Sequence, residues 1–126
     1  MGAEGVIDIQ SKFSVSETID RLESLLREKG IKIFARIDQR GEAKAVGLSM
    51  PKTELIIFGD PKTGTPLMAK YPSIAIDLPL KAVAWESSDG KVWLSYNAPE
   101  YFKARHHLDT APFVALVPIL QAAAHG

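Results

Sequence analysis

Hydrophobic residues recur along the chain with two periods, one typical of β-strands and one typical of α-helices. The segments Val6 to Phe13 and Ile31 to Asp38 alternate apolar with polar positions, which predicts a strand in each. In the second strand, Ile33, Ala35 and Ile37 are expected to share one face of the sheet. Between these two strands the spacing of apolar residues changes to three and four positions, which indicates a helix.

The segment between the strands predicts an amphipathic helix from Val15 to about Lys29. Ser14 begins a capping box, in which its hydroxyl accepts a hydrogen bond from the N–H of Glu17. Gly30 suits the left-handed position that ends such a helix. The apolar stripe that should pack on the sheet consists of Val15, Ile19, Leu22 and Leu26.

The later part of the chain predicts three further strands with short helical insertions. Thr53 to Phe58 is almost entirely apolar towards its end, which indicates cover on both faces of that strand. Helical segments are expected over residues 41–47, 99–107 and 111–124, and Pro118 should divide the last one. The element order is therefore β-α-β-β-β-β-α. The predicted fold is α+β, a single antiparallel-rich sheet of about five strands with helices packed on one face.

A hairpin is predicted where Asp89-Gly90 separates the runs Lys81 to Ser87 and Lys91 to Tyr96. This dipeptide is typical of two-residue hairpin turns. A turn of that length would place Trp93 on the opposite face of the sheet from Trp85.

Composition and charge are those of an ordinary globular chain, and we expect residues 1–126 to form a single domain. Apolar residues make up 46% of the chain and charged residues 24%. Fifteen basic residues balance fifteen acidic ones. This balance argues against a nucleic-acid partner, because such proteins usually carry a basic excess. Since charge repulsion between neutral chains is weak, a homodimer is expected.

Several kinds of chemistry lack the residues that they need. The chain has no cysteine, which excludes disulfides and thiolate catalysis. The adjacent His106-His107 lacks the i,i+4 spacing of histidines that share a metal on one helix. Neither a metal nor a cofactor is therefore expected, and His106 should cap its helix or lie at the surface. The chain has no apolar run of membrane-spanning length and no signal peptide, which predicts a cytoplasmic protein without a membrane partner.

The segment after the Thr53–Phe58 strand is the main candidate for a binding site. From Gly59 to Pro66 it lacks the lysine that a Walker A loop carries after its second glycine. Thr65 and Pro66 look like the cap and first residue of a short helix, whose unpaired N–H groups favour a small anionic ligand. A purely structural turn is the alternative. The predicted ligand-binding residues combine this segment with two carboxylates near strand ends: Asp38, Lys62, Thr63, Gly64, Thr65 and Asp77.

Two other functions are compatible with the same residues. A small hydrolase or isomerase would use Asp38 or Asp77 as a general base with His106 nearby, provided that these groups converge in one cleft. Aspartates at such places also cap turns, so the pattern assigns no catalytic residue. A structural or protein-interaction domain would use the segment from Gly59 to Pro66 only to turn the chain.

Four segments together form a specific pattern: Phe34–Asp38, Leu55–Gly59, Pro61–Met68 and Ile76–Lys81. Over roughly residues 13–108 the chain resembles the bacterial and archaeal family known as domain of unknown function 302. The resemblance implies a βαβ₄α arrangement similar to the TATA-binding-protein-like fold. It implies no known reaction, and likeness of fold would not transfer a function.

The chain departs from that family's pattern at three positions. The family often has His where Gln39 stands, Asn where Asp60 stands and Gly where His107 stands. An Asp–His pair at positions 38 and 39 is therefore absent. This absence favours a non-catalytic module that binds a small anion or metabolite and self-associates.

Overall fold

The computed structural model describes residues 2–126 and contains one five-stranded sheet. The strands lie in the order β1-β5-β4-β3-β2, and neighbouring strands are antiparallel. This arrangement confirms the α+β fold that the sequence predicted. The strands are β1 Val6–Ser11, β2 Lys32–Asp38, β3 Thr53–Gly59, β4 Leu80–Glu86 and β5 Val92–Asn97.

Six α-helices and one 3₁₀ turn accompany the sheet in the described part of the chain. They are α1 Val15–Glu28, α2 Gln39–Ala45, α3 Pro61–Lys70, α4 Pro99–His106, α5 Ala111–Val114, α6 Val117–His125 and the 3₁₀ turn Pro72–Ile76. α1 and α6 pack against each other and cover one face of the sheet. α3, the 3₁₀ turn, α4 and α5 contribute to a second hydrophobic cluster. The break between α5 and α6, just before Pro118, confirms the predicted division of this segment.

The sequence of α1 accounts for both its ends and its position on the sheet. The N–H of Glu17 donates to the Ser14 hydroxyl over 3.2 Å, and Gly30 follows the helix with a φ of +73°. Both features agree with the prediction. The apolar stripe is at most 1% exposed: Val15, Ile19, Leu22 and Leu26. Burying such side chains stabilises the fold by about 1.5–3 kcal/mol each, so this stripe is the main attachment of α1 to the sheet.

β2 contains a β-bulge that its alternating pattern did not predict. Ile33 pairs with Phe58, whereas Ala35 pairs with Ile57, so the register shifts at Phe34. Because residues paired across a sheet share a face, the residues before and after the bulge lie on opposite faces. The single face predicted for the alternate apolar residues of this strand is therefore wrong.

The β4–β5 hairpin has one more residue in its turn than predicted. The N–H of Ser87 donates to the Lys91 carbonyl, and the N–H of Gly90 donates to the Ser87 carbonyl. Gly90 has a φ of +82°, which is typical of a three-residue turn with glycine in the left-handed position. The extra residue shifts the register by one, so Trp85 pairs with Trp93 and shares its face. The predicted opposite faces are wrong.

Arg36 connects α1 to β2 and β3 on the helix-covered side of the sheet. Its guanidinium donates to Asp20 over 2.6 Å, to Glu54 over 2.9 Å and to the Ser16 carbonyl over 3.2 Å. Partial burial opposes the charge, but the hydrogen bonds to Asp20 and Glu54 raise the pKa of Arg36 above its ordinary value. The side chain of Glu54 is 17% exposed, so this part of the network is partly shielded from water.

We expect Arg36→Met to lower the free energy of unfolding by about 1–2 kcal/mol, because it leaves the partly buried Glu54 carboxylate without its cationic partner. Urea unfolding measures this loss. The matched control is Arg27→Met, which removes a 3.6 Å ion pair with Glu23 that is largely exposed. It should cost less than about 0.5 kcal/mol. Equal losses in the two variants would contradict the structural role of Arg36.

α4 ends on a residue in the left-handed conformation. His107 has a φ of 56° and a ψ of 49°, and its N–H donates to the Lys103 carbonyl over 2.8 Å. Within residues 2–126 it is the only non-glycine residue with a positive φ. A Cβ atom in this conformation costs about 1–2 kcal/mol, whereas glycine adopts it freely. The structure thus explains why the family that the sequence resembles often has glycine at this position.

We expect His107→Gly to stabilise the protein by about 0.5–1 kcal/mol, because relief of backbone strain exceeds the added flexibility of the unfolded chain. Thermal unfolding followed by circular dichroism should show a midpoint about 2–5 °C higher. The control is Lys103→Gly in the interior of the same helix, which should destabilise by about 1 kcal/mol. A loss of stability in both variants would disprove the strain at His107.

Candidate functional site

An apolar cavity of about 630 Å³ opens beside the end of β3. Its walls come from β2 and β3, from α3, from the turn before β4 and from α5 and α6. The volume lies within the range of about 300–1,000 Å³ that is usual for small-molecule sites. Much of the lining consists of aromatic and aliphatic side chains, among them Phe34, Phe58, Leu67, Met68, Phe113 and Leu116.

The cavity lies where the two hydrophobic clusters of the protein meet. Phe58 belongs to the main core beneath α1, and Phe113 belongs to the second cluster. The ring of Phe113 stacks on Phe102 with 4.2 Å between centroids and 10° between planes. This stacking fixes the wall that α5 contributes, so the cavity is bounded by well-packed elements on both sides.

Few polar side chains line the cavity, and most of them are exposed. The carboxylate of Asp60 already accepts a hydrogen bond from the N–H of Lys62 over 3.0 Å. The polar side chains on the lining are Lys29, Asp60, Thr63 and Thr65. The cavity is therefore suited to an apolar guest with, at most, one polar end.

α3 begins earlier than the sequence pattern indicated. Asp60 caps the helix and Pro61 is its first residue, so Thr65 and Pro66 lie inside the helix. The predicted start at Thr65 is wrong. Asp-Pro carries the same cap-and-proline signal as Thr-Pro, and it occurs first after the end of β3.

The N–H groups at the start of α3 are bonded to the protein itself. Lys62 donates to the Asp60 carboxylate over 3.0 Å, and Thr63 and Gly64 donate to the Asp60 carbonyl over 3.0 and 2.8 Å. Pro61 has no N–H. These amides are therefore not available to an anion, and the site predicted at the helix start loses its donors.

The residues predicted on α3 still lie close to the candidate site. Thr63, Gly64 and Thr65 line the cavity, whereas Lys62 is exposed outside the lining. Their contribution differs from the predicted one. Thr63 and Thr65 add hydroxyl groups to the lining and Gly64 adds no side chain, whereas an anion-binding loop was predicted.

Asp38 lies far from the cavity. It pairs with Glu54 at one end of β3, whereas the cavity lies at the other end beside Gly59. Positions 54 and 59 of an extended strand are about 17 Å apart. The Asp38 carboxylate instead caps α2 by accepting from the N–H of Gly41 over 3.0 Å. Asp38 is therefore a helix cap, and the structure does not bring it together with the other predicted site residues.

Asp77 is bound to α4 rather than exposed in the cavity. Its Oδ2 lies 2.6 Å from Nε2 of His106, and its Oδ1 accepts from Tyr101 over 3.3 Å and from Arg105 over 3.4 Å. The hydrogen bond with Tyr101, followed by the charge of Asp77, raises the pKa of Arg105. The side chain of His106 is only 6% exposed and bonds to Asp77, and the C-cap of α4 is His107, so the prediction of a surface or capping role for His106 is wrong.

The Asp77–His106 pair fixes one wall of the cavity without lining it. Leu78 and Pro79, which follow Asp77 directly, do line the cavity. The pair therefore holds this wall against α4. It brings together two of the groups that the enzyme hypothesis required, but outside the cavity and without Asp38.

Sequence reasoning missed the apolar part of the site. Phe34 is 46% exposed at the cavity, yet in the sequence it is one apolar residue within an alternating strand. Leu116 and Ile119 approach α3 only through the fold. Apolar residues in helices and strands are usually core residues, so their sequence pattern does not distinguish the wall of a cavity from a packed interior.

The helices of the protein are short compared with the thickness of a membrane. Across residues 2–126, none combines the necessary length with the necessary hydropathy. The longest, α1, has 14 residues.

Curated proteins with similar sequences carry the name of an ion channel. The chain is 44% identical over 112 residues to "Fluoride-specific ion channel FluC 1" of Brucella suis, which is 89% of this chain and 44% of that protein. A protein of the same name from Brucella abortus matches at the same identity, over 42% of its length. The chain thus spans less than half the length of these relatives.

These relatives contradict the predicted partners. The prediction combined a small anionic ligand and a homodimer with the absence of nucleic-acid and membrane partners. Because an ion channel acts in a membrane, relatives of that name overturn the expectation that excluded membranes. The prediction rested on net charge and hydropathy, which describe this chain alone.

The fold and the family are both supported by comparison. The crystal structure of an uncharacterized conserved protein DUF302 from Bacillus stearothermophilus matches with a TM-score of 0.81 over 97% of both chains. Its sequence identity of 16% means that this likeness shows the fold alone. The family model described as "Domain of unknown function DUF302" matches residues 7–122. The resemblance inferred from the sequence is therefore confirmed, and the chain belongs to the DUF302 family.

Proposed function

We propose that this protein is a non-catalytic module that binds a small, uncharged and largely apolar molecule in the cavity beside β3 and α3. The observation that carries the proposal is the 630 Å³ cavity with its mainly apolar lining. Protein interiors are close-packed, and voids larger than a water molecule are few. A cavity of this volume whose lining reaches the surface is therefore the part of the molecule best suited to a ligand.

The electrostatics of the lining favour an uncharged ligand. The Asp60 carboxylate is occupied by the start of its own helix, and Lys29 lies exposed at the end of α1. A charged group inside the cavity would lose its hydration without gaining a buried counter-charge, which is costly. An apolar ligand instead removes aromatic and aliphatic surface from water, which stabilises the complex.

The hydroxyl groups of Thr63 and Thr65 can orient such a ligand. Both residues are exposed on the part of α3 that lines the cavity, with Gly64 between them. A neutral polar end, such as an alcohol or a carbonyl, could hydrogen-bond to one of them while the apolar body lies inside. A few polar groups around an apolar interior are typical of small-molecule sites.

Gly64 leaves room for the ligand at the middle of the α3 wall. A Cβ atom at this position would lie 3.9 Å from Leu78 and 3.9 Å from Met68, which is ordinary van der Waals contact. A Cβ atom therefore fits at this position, and because Gly64 lines the cavity, we expect a larger side chain to extend into it. Position 64 is therefore the place on α3 at which a substitution is best suited to fill the cavity.

The curated relatives suggest a setting in which such binding would have a consequence. They are named fluoride channels, and more than half of each lies outside the matched length. In a protein of that kind, the module would act as a ligand-responsive domain joined to a channel.

Fluoride flux across the membrane of vesicles that contain the Brucella suis relative tests this setting. The flux should change when an apolar ligand that binds the cavity is added, and an unchanged flux would exclude the coupling.

We expect Gly64→Leu to weaken binding of the neutral apolar dye Nile red by at least about tenfold, because the new side chain occupies the space of the ligand. A fluorescence titration measures the Kd. The variant should be at least as stable as the wild type, since leucine is a better helix former than glycine.

The matched control is Ala69→Leu, which adds the same side chain at an exposed position of α3 outside the cavity lining. It should bind the dye as the wild type does. Absence of saturable binding to the wild type, or equal binding to both variants, would overturn the proposed function.

A further inference from the structure

We propose that Phe34 is the gate of the cavity and sets the size of the molecule that the cavity admits. This inference rests on the ligand-binding function proposed above and adds a specificity-determining residue to it. It is carried by three observations: the exposure of the ring, the β-bulge that holds it and the contacts around it.

Phe34 is unusual among the exposed apolar side chains of the described residues. Large apolar side chains with considerable exposure are Phe34, Val46, Leu48, Ile76 and Val114. Of these five, Phe34 alone lines the cavity. An aromatic ring that is 46% exposed leaves apolar surface in water, and a ligand in the cavity can cover that surface.

The β-bulge explains why this ring stands at the cavity. The register of β2 and β3 shifts between Ile33 and Ala35, so Phe34 has no partner in β3. Bulges re-aim side chains and occur more often than expected next to functional sites. In a regular strand, Phe34 would pair with a residue of β3 and follow the alternation of its neighbours. Because of the bulge, Phe34 has no paired residue in β3 and does not follow the alternation of the strand.

The ring contacts the end of β3 and one exposed side chain. Its Cε2 would lie 3.6 Å from a Cβ atom at Gly59, so the ring lies beside the end of β3 where the cavity begins. The ammonium group of Lys32 lies 4.9 Å from the ring centroid, a cation–π contact with an exposed and flexible side chain. Exposed side chains change rotamer within picoseconds to nanoseconds, which allows the ring to open and close the rim.

With the Phe34 ring in place at the rim, the cavity admits molecules only up to a limiting length. A ligand that fits behind the ring gains contact with it, whereas a longer one must displace it. Removal of the ring should therefore weaken the binding of short ligands and favour longer ones. A larger ring should have the opposite effect on long ligands.

Displacement of Nile red by neutral straight-chain alcohols, from hexanol to dodecanol, tests the gate. Phe34→Ala should weaken the binding of hexanol by about tenfold and move the preferred length towards dodecanol. Phe34→Trp should weaken the longest alcohols instead. The control Leu48→Ala, at a position that is 67% exposed and outside the cavity lining, should leave the whole series unchanged.

The outcomes separate the gate from the proposed function. If Phe34→Ala keeps both the affinities and the order of the alcohols while Gly64→Leu abolishes binding, the cavity binds ligands but Phe34 is not its gate. If Gly64→Leu binds the alcohols as the wild type does, the cavity is not the binding site, and both proposals fail. Unchanged thermal unfolding of Phe34→Ala would show that any difference comes from the site rather than from loss of structure.

Discussion

The packing of α1 on one face of the sheet is the constraint on which the rest of the structure depends. Its apolar stripe meets the inner face of the central strands, where Ala82 and Ala84 are small enough for the helix to approach closely. Because one face of every central strand is buried, a slip of one residue would turn that face to water, and the register is therefore fixed. A fixed register places the end of β3, with Phe58 and Gly59, beside the second hydrophobic cluster.

The cavity exists because these two hydrophobic clusters adjoin but do not pack fully against each other. The second cluster is held together by the stacking of Phe102 on Phe113 and by the attachment of Asp77 to His106. Both interactions fix helices and turns rather than strands, so the cavity walls can vary in their side chains while the sheet stays the same. The solved DUF302 structure shares the fold at 16% identity. A shared fold does not by itself conserve a site.

Two of the sequence predictions, those of the anion site and of the partners, were limited for different reasons. The predicted anion site lacks free main-chain donors because Asp60 supplies both a side-chain and a main-chain acceptor to the amides of α3. A helix start binds an anion only when its donors are free. The partner prediction was wrong because net charge and hydropathy describe this chain alone. They carry no information about the longer proteins in which a related domain is found.

The sequence by itself determined α1 with its cap and its terminating glycine, the five strands, the division before Pro118 and the family. Each of these depends on local signals, which are periodicity, capping and turn chemistry over a few neighbouring residues. Only the tertiary structure decided the bulge at Phe34, the pairing of Trp85 with Trp93, the separation of Asp38 from the cavity and the contact of Asp77 with His106. A single extra residue in a strand or turn reverses which face a side chain occupies, and contacts between distant segments leave no periodic pattern. The physical reason is that these features depend on the free energy of the assembled fold rather than on any one segment.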